Sequence, residues 1–284
     1  MSKSGVERSE VLEANIVVHA HLAEAGEYNK SPHFYPENQA KVREVLRELV
    51  QELPSKSGTR LLDFGCGTGF IINLVHDLVD QVDGIDITQA MMDKVDLSPG
   101  NITLTLGEAE NTPFPEGMFD MATAYSFMDH LLDYRAFLRE AYRILKPGGI
   151  LYIGLNPNRA FIQALSQLVQ KGSTVSSPQV LKEIEGALHN SDVYAESFGI
   201  EGEMLTRAEP GKSFDRGFDA DEVTQAAERI GFSEFRVHHD WFFSEGVVLH
   251  GQSEADARCV DNYLRMLLPH TSMLYKYLRF VGKK

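Results

Sequence analysis

Residues 61–70 read LLDFGCGTGF, an apolar run carrying Asp63, followed by glycines at 65, 67 and 69. A short apolar run that ends in glycines is the pattern of a buried strand feeding a tight turn into a helix. TRLLDF supplies that strand, FIINLVHDLV the helix, and QVDGIDIT a second strand ending near Asp86. Together they form a βαβ unit. The alternation continues with NITLTLGEA as a third strand, FDMATAYS as a fourth, a helix from Asp133 to Leu145 and ILYIGLN as a fifth, after a stop at Lys146-Pro147-Gly148-Gly149. This rhythm predicts a doubly wound α/β sheet, mostly parallel, with its ligand outside the carboxyl ends of the strands.

Upstream, PENQAKVREVLRELVQEL places Val42, Val45, Leu46, Leu49, Val50 and Leu53 at helical spacing, so an amphipathic helix leads into the core. The rhythm stops at Asn156. Residues 157–216 hold helical stretches, RAFIQALSQLVQ and SPQVLKEIEGALH, but no strand pattern, and read as an insertion. Order resumes with FDADEVTQAAERIGF, a helix capped by Asp219 or Asp221 and closed by Gly231, then EFRVHHDWFF as a strand. SEADARCVDNYLRMLL is a further helix and MLYKYLRFVGKK a final strand. The expected division is a lead-in and helix over 1–56, a core over 57–156, a helical lid over 157–216, and the rest of the core over 217–284 with a second helical insertion at 243–273.

The 284 residues carry a formal net charge of −14, which repels a phosphate backbone, so nucleic acid is not an expected partner. No run of about 18 apolar residues occurs, and no apolar stretch near the start is long enough for a signal peptide. The expectation is a cytoplasmic protein without a membrane segment. Cys66 and Cys259 are too few for a disulfide framework or a thiolate metal site. His19 and His21 lack a partner at diagnostic spacing, so no metal is expected. Nothing in the sequence addresses oligomeric state.

A glycine turn between strand and helix lets a ligand approach the backbone and the helix N-terminus. The dinucleotide fingerprint is G-x-G-x-x-G, whereas this turn is G-x-G-x-G with Asp63 just upstream. A carboxylate there repels an anion and attracts an amino group, which points to a cationic, phosphate-free nucleoside.

On these residues the chain resembles the class I S-adenosylmethionine-dependent methyltransferases. Asp63-Phe64-Gly65-Cys66-Gly67-Thr68-Gly69 is similar to their first motif, where the glycine turn faces the amino-acid part of the cofactor. Asp86 matches the acid that holds the ribose hydroxyls and lies 21 positions after Gly65. GEAENTPFPEGMFDMATAYS resembles the segment that runs from the adenine-contacting strand end into the fourth strand, with Glu108 where the family usually has Asp, followed by Ala109. YRILKPGGILYIGL resembles the turn before the fifth strand. Four motifs in order outweigh any one alone. The resemblance implies a Rossmann-like fold with a seven-stranded sheet, S-adenosylmethionine as cofactor, and cofactor contacts from Asp63, Gly65, Cys66, Gly67, Gly69, Asp86, Ile87, Met91, Glu108, Ala109 and Tyr125. It also implies a small-molecule acceptor methylated on O or N, such as a metabolite, glycan precursor or natural product.

Methyl transfer needs a positioned acceptor, excluded water and, for some acceptors, removal of a proton. His130, just after the fourth strand, is the candidate general base, and Tyr125 at the strand end lines the methyl site. Tyr28, His33 and Tyr35 in the lead-in are candidate ligand contacts. His238 and His239 alternate faces of a strand and do not read as a pair. Trp241, the only tryptophan, belongs to the core or to the lid lining. Two other functions stay open: non-methyl chemistry on the bound sulfonium (cofactor modification, decarboxylation or cyclisation), and a nucleotide-dependent oxidoreductase, which the glycine spacing and Asp63 oppose.

Overall fold

A computed structural model describes residues 7–25, 34–171, 178–187, 202–246, 251 and 253–284. Seven strands form one sheet: β1 (Arg60–Phe64), β2 (Gln81–Asp86), β3 (Ile102–Leu106), β4 (Phe119–Tyr125), β5 (Leu145–Pro157), β6 (Ser233–Phe242) and β7 (Tyr275–Lys283). Their order is β3-β2-β1-β4-β5-β7-β6, with β1 to β5 parallel and β7 antiparallel to both neighbours. Chain direction across the sheet reverses between β1 and β4. The glycine turn therefore leaves β1 at the topological switch point, where open α/β sheets bind ligands.

Side-chain alternation along β1 builds both layers. Leu62 and Phe64 pack towards α5 (Tyr134–Ile144) and α10 (Ala220–Ile230), where Phe137 meets Phe64 edge to face at 5.1 Å. Leu61 packs on the other face with α2 (Pro36–Glu52) and α3 (Phe70–Val75) through Leu46, Leu49 and Ile72. Each such side chain is fully or almost fully buried, worth about 1.5–3 kcal/mol.

Several elements differ from the sequence expectation: β5 already begins at Leu145, so Lys146-Pro147-Gly148-Gly149 lies within the strand's span and does not precede it. The helix after the turn ends at Val75, because the Arg43 guanidinium takes the Leu74 carbonyl at 2.7 Å and both carboxylate oxygens of Asp77 at 2.8 Å. α11 (Glu254–Met266) stops before Leu268, whose place ahead of Pro269 disfavours helical backbone. Residues Arg8–Ala25, to which the sequence reading assigned no element, form helix α1.

Within 157–216 the described residues form α6 (Arg159–Gln170), α7 (Pro178–Ala187), α8 (Gly202–Ala208) and α9 (Pro210–Ser213). Buried Asn158 starts this region by capping α6 and donating to the Tyr275 carbonyl at 2.8 Å, which ties the exit of β5 to β7. Leu205 and Ala208 of α8 pack on Ala14 and Val18 of α1. A short helix at Gln89–Met92, α4, follows β2.

Candidate functional site

The turn after β1 has its three glycines in left-handed backbone, with φ of +61° at Gly65, +52° at Gly67 and +86° at Gly69. Only glycine adopts these angles without steric cost. At Gly65 an added Cβ would stand 2.1 Å from the Phe127 ring, and at Gly67 3.1 Å from the Met91 methyl. The turn is closed onto the end of β2: Asp86 accepts from the Gly67 N–H at 2.9 Å and from the Thr88 N–H at 2.8 Å, while Cys66 N–H donates to the Ile85 carbonyl at 3.1 Å. Burial pushes the Asp86 carboxyl up from its usual range, and those two amide bonds pull it back in part.

A cavity of about 250 Å³ opens over this turn. Asp63, Gly65, Cys66, Gly67, Asp86, Ile87, Met91, Glu108, Ala109 and Tyr125 all line it, as does His130. Of the expected cofactor contacts, Gly69 alone is not among the lining residues. It caps α3 in left-handed backbone, and a Cβ there would press on Val95 at 3.1 Å. Tyr35 is half exposed at the start of α2, and its neighbour Phe34 lines the cavity instead. Tyr28 and His33 lie outside the described residues.

Asp63 is 2% exposed and accepts the Thr123 hydroxyl at 2.7 Å. Burial raises its carboxyl to about 8, partly offset by Thr123, with Asp86 adding to the rise. A carboxyl raised this far is mostly protonated at neutral pH. The Cys66 thiol is also pushed well up by burial, which makes it a packing group and not a nucleophile.

The wall that the sequence reading missed is α1. Leu12, Asn15, His19 and Leu22 face the cavity, and Arg8 ion-pairs with Glu108 and Glu110 at its rim. The spacing of 12, 15, 19 and 22 is a single helical face, but Asn15 and His19 interrupt its apolar pattern, so it carried no helix signal in the sequence. The opposing wall comes from the insertion, through Glu209 and Lys212.

His130 ends a short 3-10 turn, Met128–His130, whose start Phe127 lies against Gly65. Its Nδ1 lies 3.1 Å from the Ala208 carbonyl, an acceptor only, so Nδ1 is the donor in that contact, while Nε2 lies 4.0 Å from an Asp129 carboxylate oxygen. His19 Nε2 approaches the same Nδ1 at 3.4 Å, ring edge on ring face. Burial, then the neighbouring His130, drives the His19 pKa well down, so His19 is neutral. Asp129, His130 and Glu209 bring potential metal-ligand atoms within 4.8 Å of one another, a cluster invisible in the sequence. The Lys212 ammonium occupies its cationic position, 3.0 Å from Asp129 and 3.1 Å from Glu209. Burial tends to raise the Asp129 carboxyl, but Lys212 and His130 outweigh it and hold it below the usual range.

Of the remaining candidates, His238 and His239 sit on β6, away from this cavity; burial, then Arg279, pushes His238 down to about 4. Among the described residues no helix is long and apolar enough to cross a membrane.

Residues 62–153 match a family model described as a methyltransferase domain. The chain is 36% identical over 124 residues to a demethylmenaquinone methyltransferase of Symbiobacterium thermophilum, covering 40% of this chain and 49% of that protein. It is 29% identical over 203 residues to 27-O-demethylrifamycin SV methyltransferase of Amycolatopsis mediterranei, covering 66% of this chain and 72% of that one. For the first of these, and for most of the curated relatives, the matched part spans about half of the relative's length or less. In fold the chain is similar to a SAM-dependent methyltransferase from Archaeoglobus fulgidus, with a TM-score of 0.50 at 17% identity over 87% of this chain and 94% of that one. It is also similar to a chain of the Haloferax volcanii complex of the Trm112 methyltransferase activator with a methyltransferase, with a TM-score of 0.54 at 16% identity over 93% and 96%.

Proposed function

From a chain that carries a class I S-adenosylmethionine-dependent methyltransferase domain, we propose an enzyme that methylates an oxygen or nitrogen of a small organic molecule. The observation that carries this reading is the glycine turn: left-handed at Gly65 and Gly67 and bonded shut onto Asp86 by the Gly67 amide. Gly65 and Gly67 line the first cavity with bare backbone, which a ligand can approach closely, and the residues present fit the cofactor. Asp86 would hold the ribose hydroxyls, Glu108 and Ala109 the adenine side, and Asp63 with the turn the amino-acid end.

When bound, the cofactor would supply an electrophilic methyl group on a sulfonium whose leaving group is a neutral thioether. The chain's own contribution is to orient the acceptor, exclude water and receive the acceptor's proton. α1 on one side and Glu209 and Lys212 on the other wall the cavity and serve as its cover. His130, with Nδ1 committed to the Ala208 carbonyl, offers Nε2 as the base, and Tyr125 borders the transfer site. Among the curated relatives, those named for demethylmenaquinone and 27-O-demethylrifamycin SV take small organic acceptors, and the same class is proposed here.

Calorimetry tests the cofactor first: S-adenosylhomocysteine should bind and NAD should not, and the reverse preference would overturn the reading. The same titration probes Asp63. With its carboxyl at about 8, Asp63 is roughly nine-tenths protonated at pH 7, and a cationic amino group beside it favours ionisation. Binding at pH 7 should therefore release close to one proton, seen by comparing buffers of different ionisation heat. Release should fade as pH rises past 8 and vanish in Asp63→Asn; equal release in that variant would remove Asp63 from the cofactor contacts.

For the base, His130→Gln should lower kcat about a hundredfold or more with acceptors that must lose a proton, while S-adenosylhomocysteine affinity stays within about threefold. Unchanged turnover would assign proton removal to water or another group.

A further inference from the structure

A second cavity, of about 370 Å³, lies on the far side of Tyr125, between α2, the carboxyl ends of β4 and β6, and α11. Tyr125 lines both cavities. Its ring is stacked on Phe70 at 4.9 Å and lies across Gly154, where any Cβ would meet it at 2.6 Å. Tyr125 is the one residue common to both linings, and its stacking partner Phe70 faces the first cavity.

Local backbone around this chamber is strained. Leu155 and Trp241 both line it, and both hold left-handed backbone, with φ of +57° and +59°. Bulky residues rarely adopt such angles, which cost of order 1–3 kcal/mol each. Leu155 sits in the register shift between Ile153 and Asn156, where β5 slips against β7. A bulge of this kind re-aims a side chain beside a site. Two strands thus depart from regular geometry where their side chains enter one cavity.

The lining specifies the guest. Aromatic faces come from Tyr125, Tyr152 and Trp241, and aliphatic surface from Val42, Val45 and Leu155. The charged wall is self-neutralised. On its inner part Arg279 pairs with Asp240 at 2.8 Å and Arg265 with Asp261 at 2.7 Å. Towards solvent, Lys41 pairs with Glu245 at 3.5 Å and Arg258 with Glu254 at 2.5 Å. Four cations against four carboxylates leave no net field to select an ion, while offering hydrogen bonds to a polar edge.

We propose that this second cavity holds the acceptor, and that the acceptor is an uncharged planar aromatic molecule bearing a hydroxyl group. Its ring lies among Tyr125, Tyr152 and Trp241, and its reactive edge is directed past Tyr125 towards the first cavity. This rests on the methyltransferase reading above. A volume of about 370 Å³ falls in the range of pockets for small organic ligands.

Trp241 is the only tryptophan, so its fluorescence reports on this cavity directly. With the full chain saturated in S-adenosylhomocysteine, 2-naphthol should quench that fluorescence along a saturable curve. Its cationic counterpart 2-naphthyltrimethylammonium and its anionic counterpart 2-naphthoate should bind at least tenfold more weakly. Val42→Phe, which fills the chamber from the α2 side, should weaken 2-naphthol at least tenfold and leave S-adenosylhomocysteine affinity within about threefold. Linear quenching by 2-naphthol, equal or tighter binding of a charged counterpart, or unchanged affinity in Val42→Phe would each overturn the proposal while cofactor binding stands. Failure of S-adenosylhomocysteine itself to bind would overturn the parent reading instead.

Discussion

Asp86→Ala should lower S-adenosylhomocysteine affinity by about a hundredfold or more, measured by calorimetry on folded protein. Two separate losses combine. The first is the pair of hydrogen bonds expected from the ribose hydroxyls, each worth about 1.5–3 kcal/mol when the partner is charged. The second is internal: Asp86 also takes the Gly67 and Thr88 amides at 2.9 and 2.8 Å, so its removal releases the turn that the rest of the cofactor needs. Asp86→Asn keeps one carbonyl oxygen and should lose less, about tenfold. If alanine and asparagine variants bind as tightly as the native chain, the ribose does not sit at the end of β2.

Gly65→Ala should abolish measurable cofactor binding and lower Tm by about 3–7 °C, the shift expected for roughly 2–4 kcal/mol in a chain of this size. Left-handed backbone at φ +61° costs an alanine about 1–2 kcal/mol, and its Cβ would overlap Phe127 at 2.1 Å. Phe127 must swing away, and it carries the segment that leads to His130. Two other glycines separate these effects. Gly100 has φ +81° with nothing within 4 Å, so Gly100→Ala should cost about 1 kcal/mol and leave binding unchanged. Gly67→Ala meets only the flexible Met91 tip at 3.1 Å and should weaken binding with a smaller loss of stability. Were Gly65→Ala to behave like Gly100→Ala, the turn would be a tight connection and no more.

Much of this architecture was legible because its causes are local. The alternation of short apolar runs with helical stretches predicts the parallel strands, and the turn residues Gly65 and Gly67 must be glycine wherever φ is positive. Asp86 could be placed at a strand end by counting from the turn. Ten of the eleven expected cofactor contacts line the first cavity; the eleventh, Gly69, caps α3 and stands against Val95. α1 escaped for a different reason. Its cavity-facing residues, Leu12, Asn15, His19 and Leu22, are mixed in polarity, so the helical face carries no apolar stripe to mark it.

What the sequence determined by itself was the succession of strands, the glycine turn and the acid at the end of the second strand, since each depends on neighbours a few residues away or on a βαβ unit of fixed span. Only the tertiary structure decided the protonation of Asp63, the commitment of His130 Nδ1 to Ala208, and the second chamber behind Tyr125. Each depends on groups far apart in the chain: Asp63 on burial beside Thr123, His130 on α1 and α8, and the chamber on Val42, Leu155, Trp241 and Arg279 meeting at one end of the sheet. Burial and proximity across such distances arise from packing, and the order of residues does not record them.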